Sequence, residues 1–247
     1  MLLAILTDLH ANREAVSACL DHAQQRGCER YAFLGDLVGY GAEPGWVVET
    51  VMHHVAQGAI AVLGNHDAAV TQPPSQDFNP DAYRSIEWTR RHLDSAHIEF
   101  LRGLPLSHNE GECLFVHANA WKPQGYQYIE RATDAARSMR AADARVTFCG
   151  HVHEPMLYHM GPSRRAAQFK PVAGTPIPLS AARRWLVIPG SAGQPRDGNP
   201  AACYATFDAA GRTLTFWRVP YDFETAAGKV RRAGLPQRLA SRLEGGI

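Results

Sequence analysis

Apolar residues in this chain gather in short runs that stop abruptly at polar ones. Leu2 to Leu6 gives way to Thr7-Asp8, Tyr31 to Leu34 to Gly35-Asp36, and Ala59 to Leu63 to Gly64-Asn65-His66-Asp67. Apolar runs without alternation are expected of strands buried on both faces. Between the first two, Ala15, Ala18, Cys19, His22 and Ala23 recur at helical spacing behind Asn12, a residue suited to capping a helix. A second helix is expected from Pro44 to Val55. Strands alternating with helices predict a parallel sheet, with reactive groups beyond the carboxyl ends of its strands.

The pattern then changes. A helical stretch around Ala82 to Leu93 precedes two strands, Glu112 to His117 and Arg145 to Cys149, separated by a helix from Ala132 to Ala142. Four closer runs follow: Met156 to His159, Trp185 to Ile188, Cys203 to Phe207 and Thr213 to Val219. Their turn residues, with Asp208 to Arg212 as a hairpin loop, predict antiparallel pairing. Gly161 to Ala182, rich in Pro, Gly, Ala and basic residues, reads as a surface loop. Asp222 to Leu243 reads as two short helices split by Gly234-Leu235-Pro236. Both kinds of pairing together predict an α/β protein with two mixed sheets packed face to face. Helices lie outside, giving a four-layer α-β-β-α sandwich formed as a single domain over residues 1–247.

Composition narrows the function classes. The chain has 247 residues, 45% hydrophobic and 20% charged, and a formal net charge of +1. That balance gives no electrostatic reason to expect nucleic acid or an anionic membrane as the main partner. The five cysteines are scattered without a Cys-x-x-Cys pair, so neither a zinc knuckle nor a disulfide framework is indicated. The apolar start is too short for a signal-peptide core or a membrane span, and a cytoplasmic protein is expected. The sequence leaves monomer and homodimer open.

Candidate chemistry lies in five polar blocks: Asp8-Leu9-His10, Gly35-Asp36, Gly64-Asn65-His66-Asp67, His117, and Gly150-His151-Val152-His153. Each follows an apolar run. In extended chain, residues two apart point the same way, so Asp8 with His10 and His151 with His153 are expected to present paired ligands. The glycines before Asp36, Asn65 and His151 permit a sharp turn off the strand. Carboxylate, imidazole and amide oxygen without thiolate suit manganese, iron or zinc. Two adjacent cations need a bridging anion; Asp36, alone in its block, is the candidate, with its two carboxylate oxygens. Any one block is weak, since Asp-x-His pairs are common and Gly-Asn-His-Asp alone reads as a turn. Their joint occurrence in this order is the signal.

These blocks resemble the calcineurin-like metallophosphoesterase superfamily, whose pattern runs Asp-x-His, Gly-Asp, Gly-Asn-His-Asp/Glu, His and Gly-His-x-His. The likeness extends to its small stand-alone prokaryotic phosphoesterases through Asp8-x-His10-x-Asn12, Gly35 to Gly41, and Pro189 to Asp197. The resemblance implies the metallophosphoesterase fold and two divalent ions, manganese first, with iron, zinc, nickel and cobalt as alternatives. It implies that Asp8, His10, Asp36 and His153 hold one ion, and Asp36, Asn65, His117 and His151 the other. His66 is implied to face the phosphate, with Asp67 orienting it; Asn65 also borders the substrate. Protein serine/threonine phosphatases of the superfamily continue the second block as Gly-Asp-x-x-Asp-Arg. Here Gly39 and Tyr40 stand instead, which lowers that alternative; Asn12 and Arg196 are candidate replacements at the phosphate, although Arg196 has Asp197 as a competing partner. Ser191, in Pro-Gly-Ser-Ala-Gly, is expected in a turn near the site, not as a nucleophile.

The implied substrate is a small phosphate ester or nucleotide, and relatives of this kind include hydrolases of dinucleoside polyphosphates such as diadenosine tetraphosphate. Tyr40, Trp46, Trp121, Tyr126 and Tyr128 are candidates for stacking a base or for packing. A catalytically silent binding scaffold is the alternative from another class, and it predicts lost ligands. None is lost here.

Overall fold

The computed structural model describes residues 1–72 and 78–247. In chain order the elements are β1 (Leu2–Leu6), α1 (Arg13–Gln25), β2 (Arg30–Phe33), α2 (Pro44–Ala56), β3 (Ile60–Ala61), α3 (Asn65–Thr71), α4 (Pro80–Arg90), α5 (Ser95–Gly103), β4 (Ser107–Glu110) and β5 (Cys113–Val116). Then come α6 (Ala132–Ala141), β6 (Val146–Phe148), β7 (Met156–Met160), β8 (Ala166–Phe169), β9 (Ile177–Pro178), β10 (Arg184–Ile188), β11 (Ala202–Asp208), β12 (Thr213–Val219), α7 (Phe223–Arg232) and α8 (Gln237–Gly245).

The strands form two six-stranded sheets, ordered β3-β2-β1-β11-β12-β9 and β4-β5-β6-β10-β7-β8. The pairs β1–β2, β2–β3, β5–β6 and β6–β10 are parallel, whereas β1–β11, β11–β12, β7–β10 and β7–β8 are antiparallel. Both sheets are therefore mixed. Leu3 and Ile5 of β1 turn inward to meet Phe115, Phe148, Val187, Phe207 and Phe216 in the layer between the sheets. Ala4 and Leu6 turn outward onto Val16 and Cys19 of α1 and Val48 and Val51 of α2. On the far side, Tyr158, Leu186 and Ile188 receive Ala135, Ala136 and Met139 of α6. The expected four-layer sandwich is the observed one.

Local differences have physical causes. The helix expected at Ala82 to Leu93 runs from Pro80, behind the Asn79 cap, to Arg90, and a separate helix, α5, follows behind the Asp94 cap. The surface loop expected from Gly161 to Ala182 contains β8 and β9. Both lie at sheet edges, where a strand pairs on one side only and needs no apolar alternation. The C-terminal α7 and α8 pack through Ala227, Val230, Leu239 and Leu243 against Tyr40, Ala82, Phe78 and Trp88.

Candidate metal centre

The loops leaving β1, β2, β5 and β6 are tied side by side, continuing the ladder past the strands. Asp8 N–H donates to Gly35 O, His10 N–H to Asp36 O, and Gly150 N–H to His117 O, at 3.1, 2.9 and 2.7 Å. This brings Asp8, His10, Asp36, His117, His151 and His153 together, all of them buried. The route differs from the one expected. Asp8, His10, His151 and His153 are not in extended chain: their φ values are 53°, 47°, 69° and 67°. The chain coils left-handed as it leaves β1, β2 and β6, so the turn, not the pleat, pairs Asp8 with His10 and His151 with His153.

The side chains fall into two overlapping groups. In the first, His10 Nε2 lies 3.1 Å from His153 Nε2, His153 Nε2 lies 3.3 Å from Asp8 Oδ1, and His10 Nε2 lies 3.8 Å from Asp36 Oδ2. In the second, His117 Nε2 lies 3.4 Å from Asp36 Oδ2, 3.1 Å from Asn65 Oδ1 and 3.2 Å from His151 Nδ1. The same oxygen of Asp36 serves both. Its other oxygen accepts the His66 N–H at 2.8 Å, which fixes the orientation of the carboxylate between the two groups.

The outer nitrogens show what this arrangement wants. His10 Nδ1, His117 Nδ1 and His153 Nδ1 meet the carbonyl oxygens of Val38, Leu34 and Gln194 at 3.1, 2.7 and 2.7 Å. A carbonyl oxygen only accepts, so each Nδ1 carries the proton and donates. With Nδ1 turned to the backbone, the Nε2 atoms of His10 and His153 face one another and carboxylate oxygen. Such a convergence of acceptors is relieved by a cation, and the backbone carbonyls fix the rings as they do in metal sites. Separations of 3.1 to 3.4 Å are the edges expected of ligands about 2.0–2.2 Å from a common ion. The donor set fits divalent cations.

Charge follows the same logic. Burial pushes His10 well below the ordinary imidazole value, and burial with the neighbouring His117 takes His151 down to about 3. Burial opposes protonation of His117 as well, but the Asp36 carboxylate outweighs it and lifts His117 to about 9. Burial alone would raise Asp36 and Asp8; the surrounding imidazoles hold both carboxyls low.

Above the two groups opens a cavity of about 660 Å³, bordered by Asp36, Asn65, His66, His151, His153 and Arg196, with Tyr40, Phe78, Tyr126 and Tyr128 as its aromatic walls. Each wall leans on a histidine. Tyr40 packs on His10 and His66 at 4.5 and 4.4 Å between centroids, Phe78 on His66 at 5.3 Å, Tyr126 on His117 at 5.9 Å, and Tyr128 stacks on His151 at 4.0 Å. Phe78 was not singled out in the sequence. Its ring reaches the site only through the packing of α4 and the C-terminal helices.

Several expected roles change. Asp67 does not orient His66: its carboxylate accepts N–H groups from Leu37, Val38 and Gly64 at 2.9, 3.2 and 3.0 Å. His66 Nδ1 is buried without a hydrogen-bond partner. Burial, reinforced by Asp36, raises the Asp67 carboxyl to about 7, and burial lowers His66 to about 4. Asn12 is not free for phosphate. Its amide oxygen caps α1 at Ala15 N–H, and its amide nitrogen donates to Gly193 O and Tyr221 Oη at 2.7 and 3.2 Å. Ser191 Oγ donates to Asp8 O and accepts Gln194 N–H, both at 2.8 Å, so it braces the loop that carries Asp8. Trp46 and Trp121 lie away from the cavity, under Arg13 and Arg137. Arg196 does border the cavity. Asp197 pairs with Arg218 instead, while Arg196 donates to Gln194 Oε1 at 3.0 Å and covers the Tyr40 ring.

Comparison with known proteins agrees with this geometry. The sequence profile described as Calcineurin-like phosphoesterase superfamily domain matches residues 1–212. An uncharacterised protein of Methanocaldococcus jannaschii is 32% identical over 249 aligned positions, covering 98% of this chain and 97% of the relative. The crystal structure of a metallophosphoesterase from Sphaerobacter thermophilus is 35% identical and superposes with a TM-score of 0.89 over 100% of this chain and 99% of its own. A hypothetical protein from Pyrococcus horikoshii shares the fold at 19% identity, with a TM-score of 0.78 over 100% and 98% of the two chains.

Proposed function

The chain belongs to the calcineurin-like phosphoesterase superfamily and is a phosphoester-cleaving hydrolase, and from that premise we propose that it is a two-cation enzyme acting on small, nucleotide-type phosphate esters or anhydrides. One observation carries the reading: the acceptor atoms of Asp8, His10 and His153, and those of Asn65, His117 and His151, converge in two groups around a shared Asp36 oxygen. In this reading the first group with Asp36 holds one ion and the second with Asp36 holds the other. Divalent cations held there would supply the activated water and neutralise charge on the phosphoryl oxygens.

The remaining work falls to the protein. The Nδ1–H bonds of His10, His117 and His153 keep each Nε2 aimed at its ion. His66 borders the cavity; the negative charge of a bound phosphate raises it from its low value of about 4, and the ring then delivers a proton to the leaving oxygen, a role that contributes about 10²–10⁴-fold. Arg196 binds a non-bridging phosphate oxygen with its fork of N–H donors. Tyr126 and Tyr128 offer flat faces to the leaving group or base. A cavity of about 660 Å³ is large enough for a nucleoside-sized group.

The test is metal content and turnover measured together. Protein loaded with manganese should bind about two ions and hydrolyse bis-p-nitrophenyl phosphate, while His117→Ala should lose an ion and the activity together. A protein that takes up no divalent ion and hydrolyses neither this diester nor p-nitrophenyl phosphate overturns the reading.

A further inference from the structure

The loop between β10 and β11 crosses from one sheet to the other. Its first part, Pro189 to Asp197, supplies none of the converging ligand atoms, yet it is bonded to two of the residues that do. It runs first along the loop that carries Asp8. Ala192 N–H donates to Thr7 O at 3.0 Å, and Asp8 O accepts the Gly193 N–H at 2.9 Å and the Ser191 hydroxyl at 2.8 Å. It then turns along His153: Gln194 O accepts the His153 Nδ1–H at 2.7 Å, and Arg196 N–H donates to His153 O at 3.3 Å.

The side chain of Gln194 has a separate task. Gln194 is buried, and its Oε1 accepts from Arg196 Nη2 at 3.0 Å, while the guanidinium lies over the Tyr40 ring, 5.7 Å from its centroid. A guanidinium only donates, so the amide oxygen is the atom that meets it. Asp197, next in the chain, pairs with Arg218 instead. Arg196 is therefore held at the cavity by a neutral amide and a ring face, with its Nε buried and unpartnered. A carboxylate in place of the amide would hold it equally well but cancel its charge. An arginine held in advance also loses less side-chain freedom when an anion binds.

We propose that Gln194 is a positioning residue: its main chain orients His153, and its side chain holds Arg196 at the cavity with the positive charge left for the phosphate. The inference rests on the proposed phosphoester site, in which Arg196 touches the phosphate. One residue then sets the separation between the first metal group and the phosphate donor. Replacing the Gln194 side chain leaves the carbonyl bond to His153 in place, so it separates anion binding from coordination.

The test follows inorganic phosphate binding to the manganese-loaded, full-length protein by calorimetry, alongside metal content and the KM and kcat for p-nitrophenyl phosphate. Arg196→Ala should weaken phosphate about tenfold, one charge-assisted contact being worth about that factor. Gln194→Met keeps the bulk and loses the acceptor; it should weaken phosphate about three- to tenfold. Its KM should rise to match, with metal content unchanged and kcat within about twofold, as expected when ground-state binding alone is lost. In an Arg196→Ala background, Gln194→Met should weaken phosphate no further, because its action passes through the guanidinium. If circular dichroism shows Gln194→Met unfolded, Gln194→Asn decides, since it keeps the amide but falls one methylene short of Arg196. Unchanged phosphate affinity in Arg196→Ala or in the folded Gln194 variant overturns the positioning role. So does an equal loss with and without Arg196, or a loss of metal together with phosphate. Each of these leaves phosphate binding by the wild type intact, whereas a wild type that binds no phosphate overturns the proposed function and the role of Gln194 with it.

Discussion

His10 and His153 bring their Nε2 atoms to 3.1 Å, although each ring has already committed its Nδ1 proton to a backbone carbonyl. Two imidazole nitrogens facing each other in a buried site need a proton or a metal cation between them, and carboxylates on both sides favour the metal.

Metal removal should therefore cost stability as well as activity. A ligand at about a hundred times its dissociation constant stabilises a protein by about 2.7 kcal/mol. For a chain of this length that is roughly 5–10 °C in Tm. Thermal unfolding with manganese and with excess chelator measures it, and His153→Ala should abolish most of the difference. An identical Tm with and without chelator would contradict the cation reading of the His10–His153 pair.

Asn12 has the opposite signature. It caps α1 and joins the loop at Gly193 to Tyr221. Replacing Asn12 by Ala should cost about 1–2 kcal/mol of stability, read as a lower denaturation midpoint. The KM of a phosphate ester should change little, because the amide is already spent on the fold. A large rise in KM at unchanged stability would restore the phosphate-binding role.

The contrast shows what the sequence made legible and what it hid. The blocks from Asp8 to His153 were readable because metal ligation restricts residue type and each block follows a buried apolar strand. The long strands were readable for the same reason: β1, β10 and β11 are buried almost throughout. Hidden were β4, β8 and β9, all edge strands held by one ladder, with polar or mixed residues such as Ser107 to Glu110. Second-layer partners were hidden too. Asp67 stands beside His66 in sequence, but its oxygens face the amides of Leu37, Val38 and Gly64, a choice set by the left-handed turn at Asp36.

His66 and Asp67, adjacent in the chain, should fail differently. His66→Gln should retain both ions and the Tm within a few degrees while kcat falls about 10²–10⁴-fold. Asp67→Asn turns an amide NH₂ towards backbone donors, leaving a buried group unpaired at about 1–3 kcal/mol. It should lower the Tm by several degrees and reduce metal content with it. Matching losses in the two variants, with stability unchanged, would show that Asp67 acts through the His66 ring after all.

Tyr128 is 49% exposed, yet stacks on the His151 ring, so one face supports a histidine and the remainder borders the cavity. Aromatic stacking on a base is worth about 1–3 kcal/mol by alanine substitution. Tyr128→Ala should raise KM at least several-fold for a nucleotide, and far less for glycerol phosphate. Equal changes for both would assign the ring to packing alone.

Two glycines near the site give the sharpest separation of coordination from proton transfer. A Cβ on Gly64 would collide with the backbone nitrogen and Oδ1 of Asp36, both of them fixed by the fold. A Cβ on Gly39, where φ is +85°, would collide with His66 Nδ1, which has no partner to hold it. Overpacking of this kind costs typically about 1–3 kcal/mol, and the less constrained neighbour yields. Gly64→Ala should therefore displace the shared carboxylate and lower the bound metal below that of the wild type. Gly39→Ala should keep the metal and lose turnover, because the ring of His66 is what moves. Metal analysis alongside kcat distinguishes them. If Gly39→Ala loses its metal while Gly64→Ala keeps it, the Asp36 oxygen is not the atom that the two groups share.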